Sequence, residues 1–80
     1  SMIGAGIHDG DLLVVDRSRK AKDGSVVIAS VNGELSVKRY SRSNGQVRLM
    51  PENPAYQPIP LNEDDDARLW GVVTSVVHRL

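Results

Sequence analysis

The chain has 80 residues, in which Lys and Arg (ten together) balance Asp and Glu (ten together), and it contains no cysteine. The charge balance excludes the basic face or stripe of a nucleic-acid binder, so any link to DNA is expected to run through another protein. Without cysteine, disulfides and thiolate zinc sites are excluded, and no other metal or cofactor motif is evident. No apolar run approaches the ~18 residues of a membrane span, and no signal-like segment is present. A soluble, cytoplasmic protein is expected. Residues 1–80 read as one domain, and a chain of this size buries only about 60% of its unfolded surface, so a partner subunit is the expected supplement to its core. The first residue is Ser1 rather than methionine, which reads as the remainder of a longer protein whose front has been removed.

In chain order, the turn-rich His8-Asp9-Gly10-Asp11 leads into an apolar run, Leu12 to Asp16. Asp23-Gly24 introduces the β-branched Ser25 to Val31. Asn32-Gly33 then separates that run from Glu34 to Tyr40, and Asn-Gly between two such runs predicts a β-hairpin, because both central residues of a type I′ turn need positive φ. Ser43-Asn44-Gly45 is a second turn, before Gln46 to Met50. Pro51, Pro54, Pro58 and Pro60 disfavour a central strand, leaving residues 57 to 61 as a short edge strand. Glu63 to Asp66 is an acidic loop. Leu69 to Val77 closes the pattern as a long β-branched strand, with Gly71 marking a bulge. No segment has a helical period. The expectation is an all-β domain: a compact, partly rolled sheet of six or seven strands.

Alternation with period 2 places Ser36, Lys38 and Tyr40 on one face of their strand. A strand lysine is ordinarily a solvated one. The other reading is a buried amine: burial disfavours the charged form of an amine, and a neutral amine can take the proton of a serine hydroxyl. The residues alone leave both readings open.

Several segments taken together resemble the LexA/UmuD family of self-cleaving Ser-Lys proteases. Ser1-Met2-Ile3, Gly6-Ile7 and Asp9-Gly10-Asp11 before Leu-Leu-Val-Val-Asp are similar to its nucleophile region. The stretch Asp23 to Ala29 and the stretch Gly33 to Arg39 resemble its lysine strand; Leu49-Met50-Pro51-Glu52-Asn53-Pro54-Ala55-Tyr56 resembles its Leu-x-Pro-x-Asn-x-x-Tyr segment; Gly71-Val72-Val73 resembles its closing strand. The resemblance implies a LexA-like β-fold, Ser1 as nucleophile, Lys38 as general base and the backbone of Met2 at the oxyanion position. It also implies self-cleavage stimulated by a RecA filament on single-stranded DNA, at an upstream site that this chain lacks. Two other readings of Ser1 stand beside this one: a residue left by cloning ahead of a native Met2, and an N-terminal nucleophile that uses its own α-amine. As first residue, Ser1 carries an ammonium where longer relatives have a peptide N–H able to bind an oxyanion.

The family offers three functions. One is a UmuD-like accessory subunit of an error-prone translesion polymerase, which would bind the polymerase catalytic subunit. Another is the self-cleaving, dimerising C-terminal domain of a LexA-type or phage-type repressor. The third, a signal-peptidase-like enzyme, calls for a membrane anchor or lipid-facing surface. The run Gly71 to His78 favours the UmuD-like subunit. Both faces of Leu69 to Val77 are apolar, with Leu69, Gly71, Val73, Ser75 and Val77 on one and Trp70, Val72, Thr74 and Val76 on the other. This strand is expected at a free sheet edge, pairing with its copy in a homodimer. The remaining candidates read as scaffold. Gly4, Gly6 and Gly10 lack dinucleotide-loop spacing. His8 and His78 are distant in sequence and read as surface residues, Asp64 to Asp66 as a solvated loop, and Trp70 as a core or dimer-contact side chain.

Overall fold

The computed structural model describes residues 6–52, 57–61 and 67–80. Six strands form one antiparallel sheet: β1 (Leu12–Asp16), β2 (Val26–Val31), β3 (Glu34–Ser43), β4 (Gln46–Met50), β5 (Ile59–Pro60) and β6 (Ala67–Val77). Their spatial order is β1-β6-β2-β3-β4-β5, and the described residues include no helix. The all-β expectation holds.

Two Asn-Gly turns build the middle of the sheet. Asn32 and Gly33 have φ of 52° and 83°, and Asn44 and Gly45 have 52° and 75°, the left-handed pair that a type I′ turn demands. They join β2 to β3 and β3 to β4 in tight register, with Val31 opposite Glu34 and Ser43 opposite Gln46. β3 runs three residues beyond the expected Tyr40. The extension is pinned from the side, where the Arg42 N–H donates to Asp23 Oδ1 at 2.9 Å. β5 is the expected short edge strand, where Pro60 has no ladder bond to lose.

The closing strand departs from expectation. β6 is interior, paired with β1 through Val72–Val77 and with β2 through Ala67–Val72. Eleven residues are long enough to serve two neighbours in succession. The consequence is an offset: residues 73–77 pair only with β1, and their opposite edge has no strand beside it among the described residues.

Two bulges also break the alternation expected along β6. Ala29 faces Leu69 and Ile28 faces Gly71, which leaves Trp70 as the extra residue; Val14 faces Ser75 and Val15 faces Val73, which leaves Thr74 as the second. Leu69 and Val72 therefore share a face, while Gly71 and Val73 lie on the other. The expected bulge falls one residue before Gly71. Trp70 is not a core side chain. It is 39% exposed, with the Arg17 guanidinium 4.2 Å over its ring and the Arg17 Nε–H donating to its carbonyl at 3.0 Å.

The main core lies on one face and joins Val27, Ala29, Tyr40, Leu49, Ala67 and Val72. Val27, Ala29 and Leu49 are fully buried. Ile28, on the opposite face beside Gly71, is also buried, as is Ile7 in the segment before β1. Gly71 sits on this second face because β1 leaves no room for a side chain there. A Cβ at Gly71 would stand 2.5 Å from Val15 Cγ1, and the β-branched Val15 has few rotamers with which to move away. Gly71→Ala is expected to cost about 1–3 kcal/mol through overpacking, read from the urea midpoint. An unchanged midpoint would mean that β1 yields freely.

Candidate active site

Lys38 is carried by the β2–β3 hairpin, directly opposite the fully buried Val27. It shares the core face with Ser36 and Tyr40, as alternation predicted. Lys38 is half-buried and forms no ion pair among the described residues. Its neighbour in sequence behaves in the opposite way. Arg39 points to the other face and donates from Nε and Nη2 to Glu52 Oε1 at 2.9 and 2.8 Å, and from Nη1 to the Gly24 carbonyl at 2.9 Å. The saturated Arg39 ties β3 to the turn before β2 and to the segment after β4. The backbone that aims Lys38 is held by three parts of the chain.

Ser36 was visible to sequence reasoning only as an uncharged neighbour. The structure gives it more weight. Its Oγ is buried and has no hydrogen-bond partner among the described residues, two positions from Lys38 on the same face. A buried hydroxyl without a partner costs about 1–3 kcal/mol, so such groups are rarely kept without a use. A hydroxyl can accept from an ammonium or donate to a neutral amine, which makes Ser36 suited to steering the Lys38 side chain. The signal available in the sequence was its place two residues before Lys38.

Ser1 and Met2, the expected nucleophile and oxyanion position, lie outside the described residues, as do Asp64 to Asp66. Their chain reaches the fold through a turn at residues 8–11, where the Asp11 N–H donates to the His8 carbonyl at 3.1 Å and Gly10 has φ of 87°. The two histidines, distant in sequence, are brought together here. Their ring centroids are 5.3 Å apart, tilted by 54°. Asp11 lies between two donors: the His8 backbone N–H reaches Oδ2 at 2.7 Å, and His78 Nδ1 lies 2.9 Å from Oδ1. A carboxylate can only accept, so His78 Nδ1 carries the proton of that bond. The His8 N–H and then His78 hold the Asp11 carboxyl below its ordinary value of 3.8. For a depressed carboxyl the stabilisation is present above that value and is lost as pH falls through the lower, folded one. No group of three or more His, Asp or Glu placed to hold a metal ion occurs among the described residues.

The described part of the candidate site is thus a half-buried strand lysine without a counter-ion among the described residues and a buried hydroxyl two positions from it. The chain belongs to the Peptidase S24-like family, which matches residues 1–74. It is 46% identical over 79 residues to "LexA repressor 2" of Pseudomonas syringae pv. tomato, covering 99% of this chain and 39% of that protein. It is also 49% identical over 80 residues to the LexA repressor of Streptomyces clavuligerus, covering 100% and 32%. With the LexA repressor of Bordetella parapertussis the identity is 43% over 78 residues, covering 98% and 36%. The chain thus spans about a third of the length of these relatives.

Ser36→Ala is expected to fold with equal or greater stability, because the unpaired hydroxyl is gone, and yet to slow self-cleavage of the full-length protein. Thermal unfolding and a cleavage time course measure the two effects. A wild-type cleavage rate would remove Ser36 from the site.

Proposed function

We propose that this chain is the self-cleaving domain of a LexA-type repressor of the SOS response, with Ser1 as nucleophile and Lys38 as general base. The observation that carries the reading is similarity along the whole chain to proteins named LexA repressor, at 43–49% identity. That similarity favours the repressor over the UmuD-like polymerase subunit suggested by Gly71 to His78. In this mechanism the neutral amine of Lys38 accepts the proton of Ser1 Oγ as the oxygen attacks a peptide carbonyl of the protein's own upstream segment. The Met2 backbone is the proposed partner of the developing oxyanion. Lys38 supports the role by its position: half-buried against Val27, with no carboxylate among the described residues paired to hold its charge. RecA on single-stranded DNA is the proposed stimulus, and release from operator DNA the proposed result.

The full-length protein tests the reading directly. It is expected to bind operator DNA through an upstream domain and to cut itself when RecA and single-stranded DNA are added. Ser1→Ala and Lys38→Ala should each abolish cleavage while leaving the unfolding midpoint within about 1 kcal/mol of wild type, since neither removes a core side chain. A Lys38→Ala protein that cleaves at the wild-type rate would sink the mechanism.

We also propose a homodimer through β6, at the open edge of residues 73–77 instead of along the whole strand. The edge exposes backbone groups, and the flanking sheet face exposes Leu12 (53%), Val14 (51%) and Val77 (46%), apolar area that a second copy would cover. In an antiparallel two-fold seam centred on this segment, Ser75 meets its own copy. Ser75→Lys therefore sets like charges opposite each other while leaving an exposed site tolerant within the monomer. Sedimentation is expected to show a dimer for wild type and a folded monomer for the variant. A dimeric variant, or a wild type already monomeric at micromolar concentration, contradicts the seam.

A further inference from the structure

The mechanism above uses Lys38 from one end of a local hairpin and Ser1 from a segment that must be brought to it. Ser1 precedes the first described residue, Gly6, by five positions, and five residues can span up to about 17 Å when extended. Anything that fixes the far end of this tether narrows where the serine can be. Two things fix it. Ile7 is buried, and apolar burial is without direction. Asp11 supplies direction: one carboxylate oxygen closes the 8–11 turn on the His8 N–H, and the other reaches 67 positions along the chain to His78, just past β6. The Asp11 side chain is only 7% exposed, while that of His78 is half-exposed. The turn held in this way forms one wall of a cavity of about 370 Å³ whose other wall is Ser36 and Val37, the step of β3 that leads into Lys38. The clasp therefore sits beside the strand of the base while tethering the segment of the nucleophile.

We infer that Asp11 and His78 are a positioning pair for self-cleavage, locking the 8–11 turn so that the segment bearing Ser1 is presented to Lys38. The inference rests on the Ser1–Lys38 reading. Neither residue touches the reacting atoms; both act through the backbone between His8 and Asp11. The required property is a side chain at 78 able to donate to Asp11, and an asparagine amide can do so where an alanine cannot.

The experiment uses the full-length protein and compares wild type, His78→Ala, His78→Asn, Asp11→Ala and Lys38→Ala by self-cleavage rate, hydrogen exchange at the His8 amide and thermal unfolding. His78→Ala is expected to slow cleavage by about tenfold or more, as small misplacements of reacting groups do, and to speed exchange at His8. His78→Asn should recover most of both, and Asp11→Ala should match His78→Ala. If His78→Ala is too unstable to assay, the His78→Asn and Asp11→Ala proteins carry the comparison. Cleavage at the wild-type rate in His78→Ala or Asp11→Ala, with Lys38→Ala inactive, overturns the positioning pair and leaves the dyad standing. Equal slowing in His78→Ala and His78→Asn also overturns it, since donation to Asp11 would not be what matters. Wild-type cleavage by Lys38→Ala overturns the dyad and the positioning pair with it.

Discussion

β6 is the strand on which the rest of the sheet depends. Among the described residues β1 has no other strand partner, and β2 reaches β1 only through it. The strand meets both neighbours by sliding from one to the other at Val72, the single residue paired on both sides, and by spending two residues on bulges. The bulges turn its side chains so that Val72 joins the main core, with the exposed Leu69 on the same face, while Gly71 lets Val15 come close on the far face. The same offset leaves residues 73–77 with an uncovered edge. Core packing, the close approach of β1 and the open seam thus follow from one strand in one register.

The two halves of the candidate site differ in how they are made. Lys38 is positioned locally, by a hairpin whose turn lies a few residues away and by the Arg39 bonds to Gly24 and Glu52. The 8–11 turn and β1, which lead back toward the proposed nucleophile, are positioned by contacts remote in sequence: β1 against β6, and Asp11 against His78. A local half of this kind tolerates change elsewhere in the molecule, while a remote half responds to anything that disturbs the register of β6.

That difference also explains what could be read in the amino-acid sequence. Asn32-Gly33 and Asn44-Gly45 declared their turns because few residue pairs accept two positive φ values, and the alternation of β3 placed Ser36, Lys38 and Tyr40 correctly on one face. Prolines marked β5 as an edge. The register of β6 was hidden. A bulge at Trp70 or Thr74 leaves no compositional mark, and a strictly alternating reading put Leu69 and Val72 on opposite faces. An apolar strand looks alike whether its edge is free or paired, which is why β6 was expected at the border. The meeting of His8 with His78 depends on the pairing of β1 and β6 and has no local signature. The choice between polymerase subunit and repressor was illegible for another reason: the features that carried the resemblance serve one fold and one chemistry, and the two proteins differ in what is attached to it.

The remote pairing of β1 with β6 has a consequence in time as well as in space. Residues 12–16 leave the ribosome well before residues 72–77, the strand segment that pairs with them. About sixty residues separate the two, which at ~5–20 residues per second is a delay of about 3–12 s. Throughout that interval the hairpin bearing Lys38 can form, but the 8–11 turn lacks the His78 contact and β1 lacks its β6 partner. On the proposed Ser1–Lys38 reading, the turn leading back to the nucleophile is not clasped until translation has passed β6. The topology would then delay the onset of self-cleavage until the domain is whole.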